Sequence, residues 1–148
     1  SGRGGTLDAS FRTRLSRVLD IERWRVVDLV EVASADAATV GAAATAGDVR
    51  RAAAATGHLR VLLRREGLLP GVVHVRDLLL EPAEAPAVAH VREPLVLSSE
   101  APVYDALRTL REAGEQLAVV VREDRVVGVL TVADILRRLM PRGSSRHL

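Results

Sequence analysis

The sequence predicts an α/β (α+β) fold made of two pseudo-symmetric copies of one small unit, each a small sheet with flanking helices, preceded by an N-terminal helix. Three observations carry this. "GVVHVRDLLL" at 71–80 recurs as "GVLTVADILR" at 128–137, with Gly, Val, Val, Asp and Leu in place at an offset of 57 residues (71 to 128). Short β-branched runs alternate with stretches of helical periodicity, as in "QLAVVV" after "SSEAPVYDALRTLREAG". One copy, at about 50 residues, is too small to close a good core alone, so the two should pack on each other.

The elements follow in order. Residues 1–25 read as a linker helix, because "LDASFRTRLSRVLD" at 7–20 aligns Leu7, Phe11, Leu15, Val18 and Leu19 along one side. Residues 26–81 form the first copy. Its "ASADAATVGAAATA" is an Ala-rich stretch that either extends a helix or loops. Helix "GDVRRAAAATG", strand "LRVLLR", turn "REGLLP", strand "GVVHV" and helix "RDLLL" come after it. Residues 82–94, Pro-rich and aperiodic, read as a linker.

Residues 95–141 form the second copy. Its helix opens on Ser and Glu with Pro102 in the first turn, lines up Val103, Ala106, Leu107 and Leu110, and stops at Gly114. Two strands, "QLAVVV" and "VVGVLT", flank the charged turn "REDR", and a helix "VADILRRLM" closes the unit. Residues 142–148 read as a disordered tail. Upstream of the shared motif, "TGHLRVLLRREGLLPG" aligns with "AGEQLAVVVREDRVVG" by a one-residue slip. Trp24, the only Trp, is expected to anchor the N-terminal helix on the module.

Composition excludes several function classes. Aromatic residues make up 2% of the chain against 48% hydrophobic overall, so the core is aliphatic and recognition by aromatic stacking is not expected. The isoelectric point near 10.2 accompanies a net charge of only +2. All 21 basic residues are Arg, interleaved with acids as in "REDR", which is a solvated surface rather than a stripe that tracks nucleic acid. Without Cys there is no disulfide or thiolate chemistry, which fits a reducing compartment. The four His lack ligand spacing, so no metal site is expected, and no 18-residue apolar run or signal peptide is present. No nucleophile, base or metal cluster suggests an enzyme. "SSE" lacks the frame of a nucleophilic Ser, and the acids of 100–112 read as a solvated helix surface.

Thr131 and Asp134 are the residues that invite a choice. Thr-x-x-Asp ahead of an apolar helix is a capping box, and "TAGD" at 45–48 has the same spacing. The same groups suit a ligand, because a helix N-terminus and a hydroxyl stabilise phosphate and a carboxylate accepts from a ribose diol. At the first copy His74 replaces Thr131 and Asp77 matches Asp134. His74 either donates to a phosphate or fills a strand end. Arg76, Arg137 and Arg138 either pair with phosphates or face solvent.

Two copies of helix, strand, strand and helix, each closing on a G-x-x-[T/H]-x-x-D turn, resemble a tandem pair of CBS domains, the Bateman module, over roughly residues 26–140. With "LSRVLDIERWRVVDLV" ahead of them, they are similar to the cytosolic region of the CorC, hemolysin-C and cyclin-M family of membrane ion transporters. This sequence departs from that family in reading Leu29, Val30, Glu31, Val32 where Met-x-Pro-Arg is usual.

The resemblance implies a regulatory module that binds an adenine nucleotide, AMP, ADP or ATP. Asp134 would face the ribose hydroxyls and Thr131 the phosphates beside Gly128, with backbone near Val96, Leu97, Ala118 and Val119 around the adenine. His74 and Asp77 would form the first-copy site. It further implies magnesium only with bound nucleotide, an attached membrane domain absent from this chain, a cytoplasmic location, and homodimer formation through CBS helices such as "RRAAAATG". A ligand-free module acting in dimerisation or protein interaction is the alternative.

Overall fold

A computed structural model describes residues 23–33 and 38–139. The expected helix at 7–20 and the tail at 142–148 lie outside the described residues. Helix α1 (Val26–Ala33) comes first, followed by β1 (Thr39–Val40), α2 (Ala46–Thr56), β2 (Arg60–Leu63) and β3 (Gly71–His74). Two 3₁₀ turns, Val75–Leu78 and Ala87–His90, lead into β4 (Leu95–Ser98), α3 (Val103–Ala113), β5 (Leu117–Arg122), β6 (Arg125–Thr131) and α4 (Val132–Leu139). The strands form two three-stranded sheets of order β1-β2-β3 and β4-β5-β6, each with one parallel and one antiparallel pair.

Both sheets are covered on two faces, which is why their strands read as unbroken apolar runs. Alternate residues divide between the faces. In the first sheet Val61, Leu63 and Val73 pack with Val49 and Ala53 of α2, whereas Leu62 and Val72 turn the other way. In the second, Ala118, Val120 and Leu130 meet Leu110 of α3 and Ile135 of α4, and Leu117, Val119 and Val129 turn away. Those outward residues meet: Leu62, Val72, Leu117, Val119 and Val129 form one buried cluster that joins the two sheets. The expected docking of copy on copy is therefore sheet on sheet.

The repeat holds at a single offset. Helices α2 and α3 are each 11 residues long and begin 57 positions apart, and the cross-strand pair Leu62–Val72 has its counterpart in Val119–Val129. Both helices end on a left-handed Gly, Gly57 at φ 77° and Gly114 at φ 67°. No slip is needed between the copies, in contrast to the sequence alignment. What differs is the hairpin over the same number of residues. The second closes tightly at Glu123 and Asp124, both at positive φ, and takes a bulge at Val120/Val121. The first unpairs after Leu63, and Arg65 ties the wider loop by donating to Leu69 O at 2.9 Å and to Glu93 through both terminal nitrogens.

Three further elements depart from the sequence reading. Part of the Ala-rich stretch is strand β1, parallel to β2. The expected helix "RDLLL" is a single 3₁₀ turn, because Leu78 is buried at once and Pro82 follows closely. Arg50 donates to the carbonyls of Leu78 and Glu81 at 2.6 and 3.1 Å, which satisfies the end of that turn. Pro102 is the residue before α3 rather than within it.

Grouping in space also differs from chain order. Helix α1, read by sequence as the start of the first copy, sets Val26, Leu29 and Val30 into the core of the second. Val26 N–H donates to Ala101 O at 2.8 Å, Val27 N–H to Ser99 O at 2.9 Å, and Val103 N–H to Trp24 O at 2.8 Å. The segment read as linker plays the same part for the first copy. Ala87 is fully buried there, its N–H donates to Ala44 O at 3.0 Å, and Ala46 N–H donates to Ala85 O at 2.8 Å. Each copy's helical core is completed by the segment that precedes the other copy.

The linker also lies against β3, with Val72 and Arg92 exchanging backbone hydrogen bonds at 2.9 and 2.8 Å. This approach requires Gly71. A Cβ there would lie 2.1 Å from Val91 Cγ2 and 3.3 Å from Arg92 O. Gly71→Ala is expected to cost about 1–3 kcal/mol by overpacking, read as a lower urea midpoint at unchanged slope.

Candidate functional site

At the β6–α4 junction Thr131 N–H donates to Asp134 Oδ2 at 2.9 Å, and Asp134 N–H donates to Thr131 Oγ1 at 3.0 Å. This is a reciprocal capping box. Arg137, one turn on, donates to Asp134 Oδ1. The Asp134 side chain is 8% exposed whereas that of Arg137 is 70% exposed, so the carboxylate lies beneath a guanidinium that solvent reaches freely. Arg138 instead stacks over the Trp24 ring, 4.8 Å from its centre. Trp24 itself packs against the second helical core, ahead of α1.

The box at the start of α2 matches it closely. Thr45 and Asp48 exchange the same two bonds at 2.9 and 3.2 Å, and Arg51 reaches Asp48 at 2.5 Å. Local geometry alone therefore says helix start. Placement separates the two boxes. Thr131 ends a strand and pairs across it with Leu117, a member of the cluster between the sheets, which puts the junction beside the seam of the copies.

The other expected residues divide. Val96 pairs with Val119, and Leu95 with Ala118, on neighbouring strands. Strand β4 is the sheet edge, so its outer backbone groups are not used by the sheet. The side chains of Leu97 and Ala118 are committed to the second helical core and that of Val119 to the inter-sheet cluster. Val96 is 41% exposed. Gly128 is half-buried opposite Val120, at the bulge and three residues up the strand from Thr131. Edge strand β4 lies two strand spacings from Thr131, roughly 10 Å across the sheet.

At the first copy the matching junction is shut. His74 is 6% exposed and its side chain makes no capping bond. Asp77 is held by Arg92 of the linker, which donates to Asp77 Oδ2 through Nε at 3.2 Å and Nη2 at 2.7 Å. That hydrogen bond holds the Asp77 carboxyl below the usual carboxylate range. The position equivalent to Arg137 is Leu80, which cannot donate, and Asp77 takes the linker's Arg92 instead. Neither Arg92 nor Arg60, the strand partner of His74, was singled out from sequence, since both act across long separations. The Asp134–Arg137 pair does have a local signal, the i,i+3 spacing.

Burial first, then the charges of Arg92, Arg60 and Arg76, push the His74 imidazole below its ordinary pKa. The unfolded chain therefore takes up this proton at a higher pH than the folded chain does. Stability falls as pH drops below about 6.5 and until the lowered folded pKa is passed. Asp48, Asp77 and Glu93, whose carboxyls are also lowered, act further down: their stabilisation is present above about pH 4 and is lost as pH falls through their folded values. Between about pH 7.5 and 5.5 the urea midpoint should decline in the parent and decline less in His74→Gln.

Among the described residues, no group of three or more His, Asp or Glu is placed to hold a metal ion, and no helix is long and apolar enough to cross a membrane.

Comparison with known proteins finds the same fold in solved structures. Residues 88–141 match the CBS domain model. No curated protein matches the chain. Among solved structures, the CBS domain of the bacterial CNNM/CorC family Mg2+ transporter in complex with ATP is similar at 19% identity, over 88% of this chain and 96% of that one, with a TM-score of 0.75. A hemolysin-like protein containing a CBS domain from Oenococcus oeni PSU is similar at 15% identity, over 86% and 98%, with a TM-score of 0.73. The CBS domain protein PAE2072 from Pyrobaculum aerophilum, complexed with AMP, is similar at 24% identity, over 78% and 98%, with a TM-score of 0.65. Residues 88–141 thus match the CBS domain, and the described chain as a whole has the α+β fold of a CBS pair.

Proposed function

We propose that the chain is a regulatory adenine-nucleotide-binding module, the cytosolic part of a CorC-like membrane transporter for magnesium or another divalent cation, and that it is not an enzyme. The observation that carries this is the Thr131–Asp134 box at the strand-to-helix junction beside the seam between the copies. Asp134 Oδ2 is tied to backbone, but Oδ1 holds only an exposed Arg137. A ribose diol replaces Arg137 at Oδ1 and leaves the cap intact. The freed guanidinium then meets phosphate, together with the Thr131 hydroxyl and the positive end of α4. Backbone on the free edge at Val96 and Leu97 reads the base.

Solved proteins of this fold complexed with ATP and with AMP support the ligand class. Magnesium enters only as the charge partner of bound phosphates. Occupancy spreads through α4, since its Arg138 rests on Trp24 at the entrance to α1. A nucleotide that binds one arrangement of α4 better than another shifts the N-terminal segment by that difference in affinity.

Calorimetric titration with AMP, ADP and ATP, each with and without magnesium, tests the reading. Saturable binding of at least one is expected, and no binding at millimolar concentration would sink it.

The alternative, a ligand-free dimerisation module, draws support from Tyr104 on α3 and Leu136 on α4, exposed on two helices that pack together, and from the exposed Ala54 and Ala55 of the Ala-rich helix. Sizing the chain across concentration alongside the titration separates the two readings.

A further inference from the structure

The two copies are joined by more than the cluster between their sheets. Arg65, at the mouth of the first hairpin, donates to both carboxylate oxygens of the linker's Glu93 at 2.6 and 3.1 Å, and to Leu69 O. Its side chain is 13% exposed against 78% for that of Glu93, so the anchor sits on the first copy and the linker is what it holds. A guanidinium that meets a carboxylate through two bonds fixes direction as well as distance. That hydrogen bonding keeps the Glu93 carboxyl below its usual range. The clasp is not part of the repeat, because the counterpart of Arg65, 57 positions on (65 to 122), is Arg122, exposed at the end of β5.

What the clasp holds is the start of β4. Arg92, one residue earlier, is pinned to Val72 by backbone and to Asp77 by its side chain. Pro94 follows Glu93, and Leu95 opens β4. Proline fixes its own φ and restricts the residue before it, so little slack separates the clasped carboxylate from the strand. Strand β4 needs such a hold. It pairs with one neighbour, in parallel, over four residues, and Leu97 is the one of the four whose side chain is buried. Its far end is tied at Ser99, whose N–H donates to Val121 O and whose carbonyl accepts from Val27 N–H, both at 2.9 Å. Its near end has the clasp.

We infer that Arg65 and Glu93 are positioning residues for the nucleobase end of the second-copy site: their clasp sets where the β4 edge stands relative to Thr131 and Asp134, and with it the affinity for a ligand that carries a base. The inference rests on the nucleotide reading proposed above. A base that meets backbone at Val96 and Leu97 while its ribose is held across the sheet binds well only if the two ends keep their spacing, and supporting bonds of this kind hold such spacings. Ribose and phosphate alone do not span that distance. The first copy thereby tunes a site whose direct contacts all lie in the second.

Calorimetry with AMP and with ribose 5-phosphate, on the 148-residue chain in parent, Glu93→Gln, Glu93→Arg and Glu84→Arg forms, tests this. Glu93 is exposed and outside the apolar clusters, so its variants keep the fold, and exposed Glu84 of the linker controls for the change of charge. AMP should weaken about 3-fold in E93Q and about 10-fold in E93R, while ribose 5-phosphate stays within about 2-fold in every variant. E84R should match the parent. Without ligand, hydrogen exchange of the β4 amides bonded to β5 should speed up in E93R while β2 and β3 stay protected. Equal weakening of the two ligands, AMP binding unchanged in E93R, or an E84R as weak as E93R overturns the inference. If the parent binds no nucleotide, the proposed function fails by itself and the exchange measurement decides the clasp, which unchanged β4 protection in E93R overturns. The exchange measurement also decides where ribose 5-phosphate binds too weakly to compare.

Discussion

Replacing Asp134 by Ala will weaken adenine-nucleotide binding by roughly 10- to 100-fold, the effect of losing one or two hydrogen bonds to a charged acceptor. The same change removes the acceptor of Thr131 N–H and the anchor of Arg137, so the start of α4 loosens at a cost of about 1 kcal/mol. The two effects must be separated. Asp134→Asn does so, because its amide oxygen can still accept from Thr131 N–H while its charge and half its acceptor capacity are gone. Binding measured calorimetrically should fall in both variants, and thermal stability should fall clearly only in Ala.

If Asn binds as well as Asp, the carboxylate is a cap and nothing more. Asp48→Ala is the internal control, since it breaks a box of the same geometry away from the seam. It should lower stability by a comparable amount and leave nucleotide affinity unchanged.

That control also shows what sequence could and could not reveal. The capping boxes, the Gly stops of α2 and α3, the hairpins and the repeated Asp are local or periodic, and each is where its residues imply. The choice between cap and ligand site was not local, because two boxes with the same bonds differ only in what packs beside them. The same holds for Arg92. Fifteen positions separate it from Asp77, and only the return of the linker along β3 brings them together. The short turn at 75–78 departs from the sequence expectation for a related reason. "RDLLL" has good helix formers, but burial of Leu78 and the approach of the linker override propensity. Strand β1 escaped the sequence reading because it is two residues long within an Ala-rich stretch and is defined by its pairing with β2.

The exchange of segments between copies leads to the second large effect. Leu29→Ala, in a helix more than sixty positions ahead of β4, should destabilise the second copy by about 2–5 kcal/mol, the cost of a cavity in a filled core. Leu29 packs among Val103, Leu110, Leu130 and Ile135, and α1 is held by backbone bonds from Val26 and Val27 to the segment before α3. If chain order governed stability, the loss would fall on β1, α2 and β2. Amide hydrogen exchange distinguishes the outcomes, because protection should collapse in β5, β6 and α4 before it does in β2 and β3. A variant that loses protection first in the opening sheet would show that α1 belongs to the first copy after all. The expected pattern has a functional corollary. Helix α1 packs in the same core as Ile135 of α4, and Arg138 stacks on Trp24 at its entrance, so on the proposed function a shift of α4 on ligand binding is expected to reach the N-terminal segment.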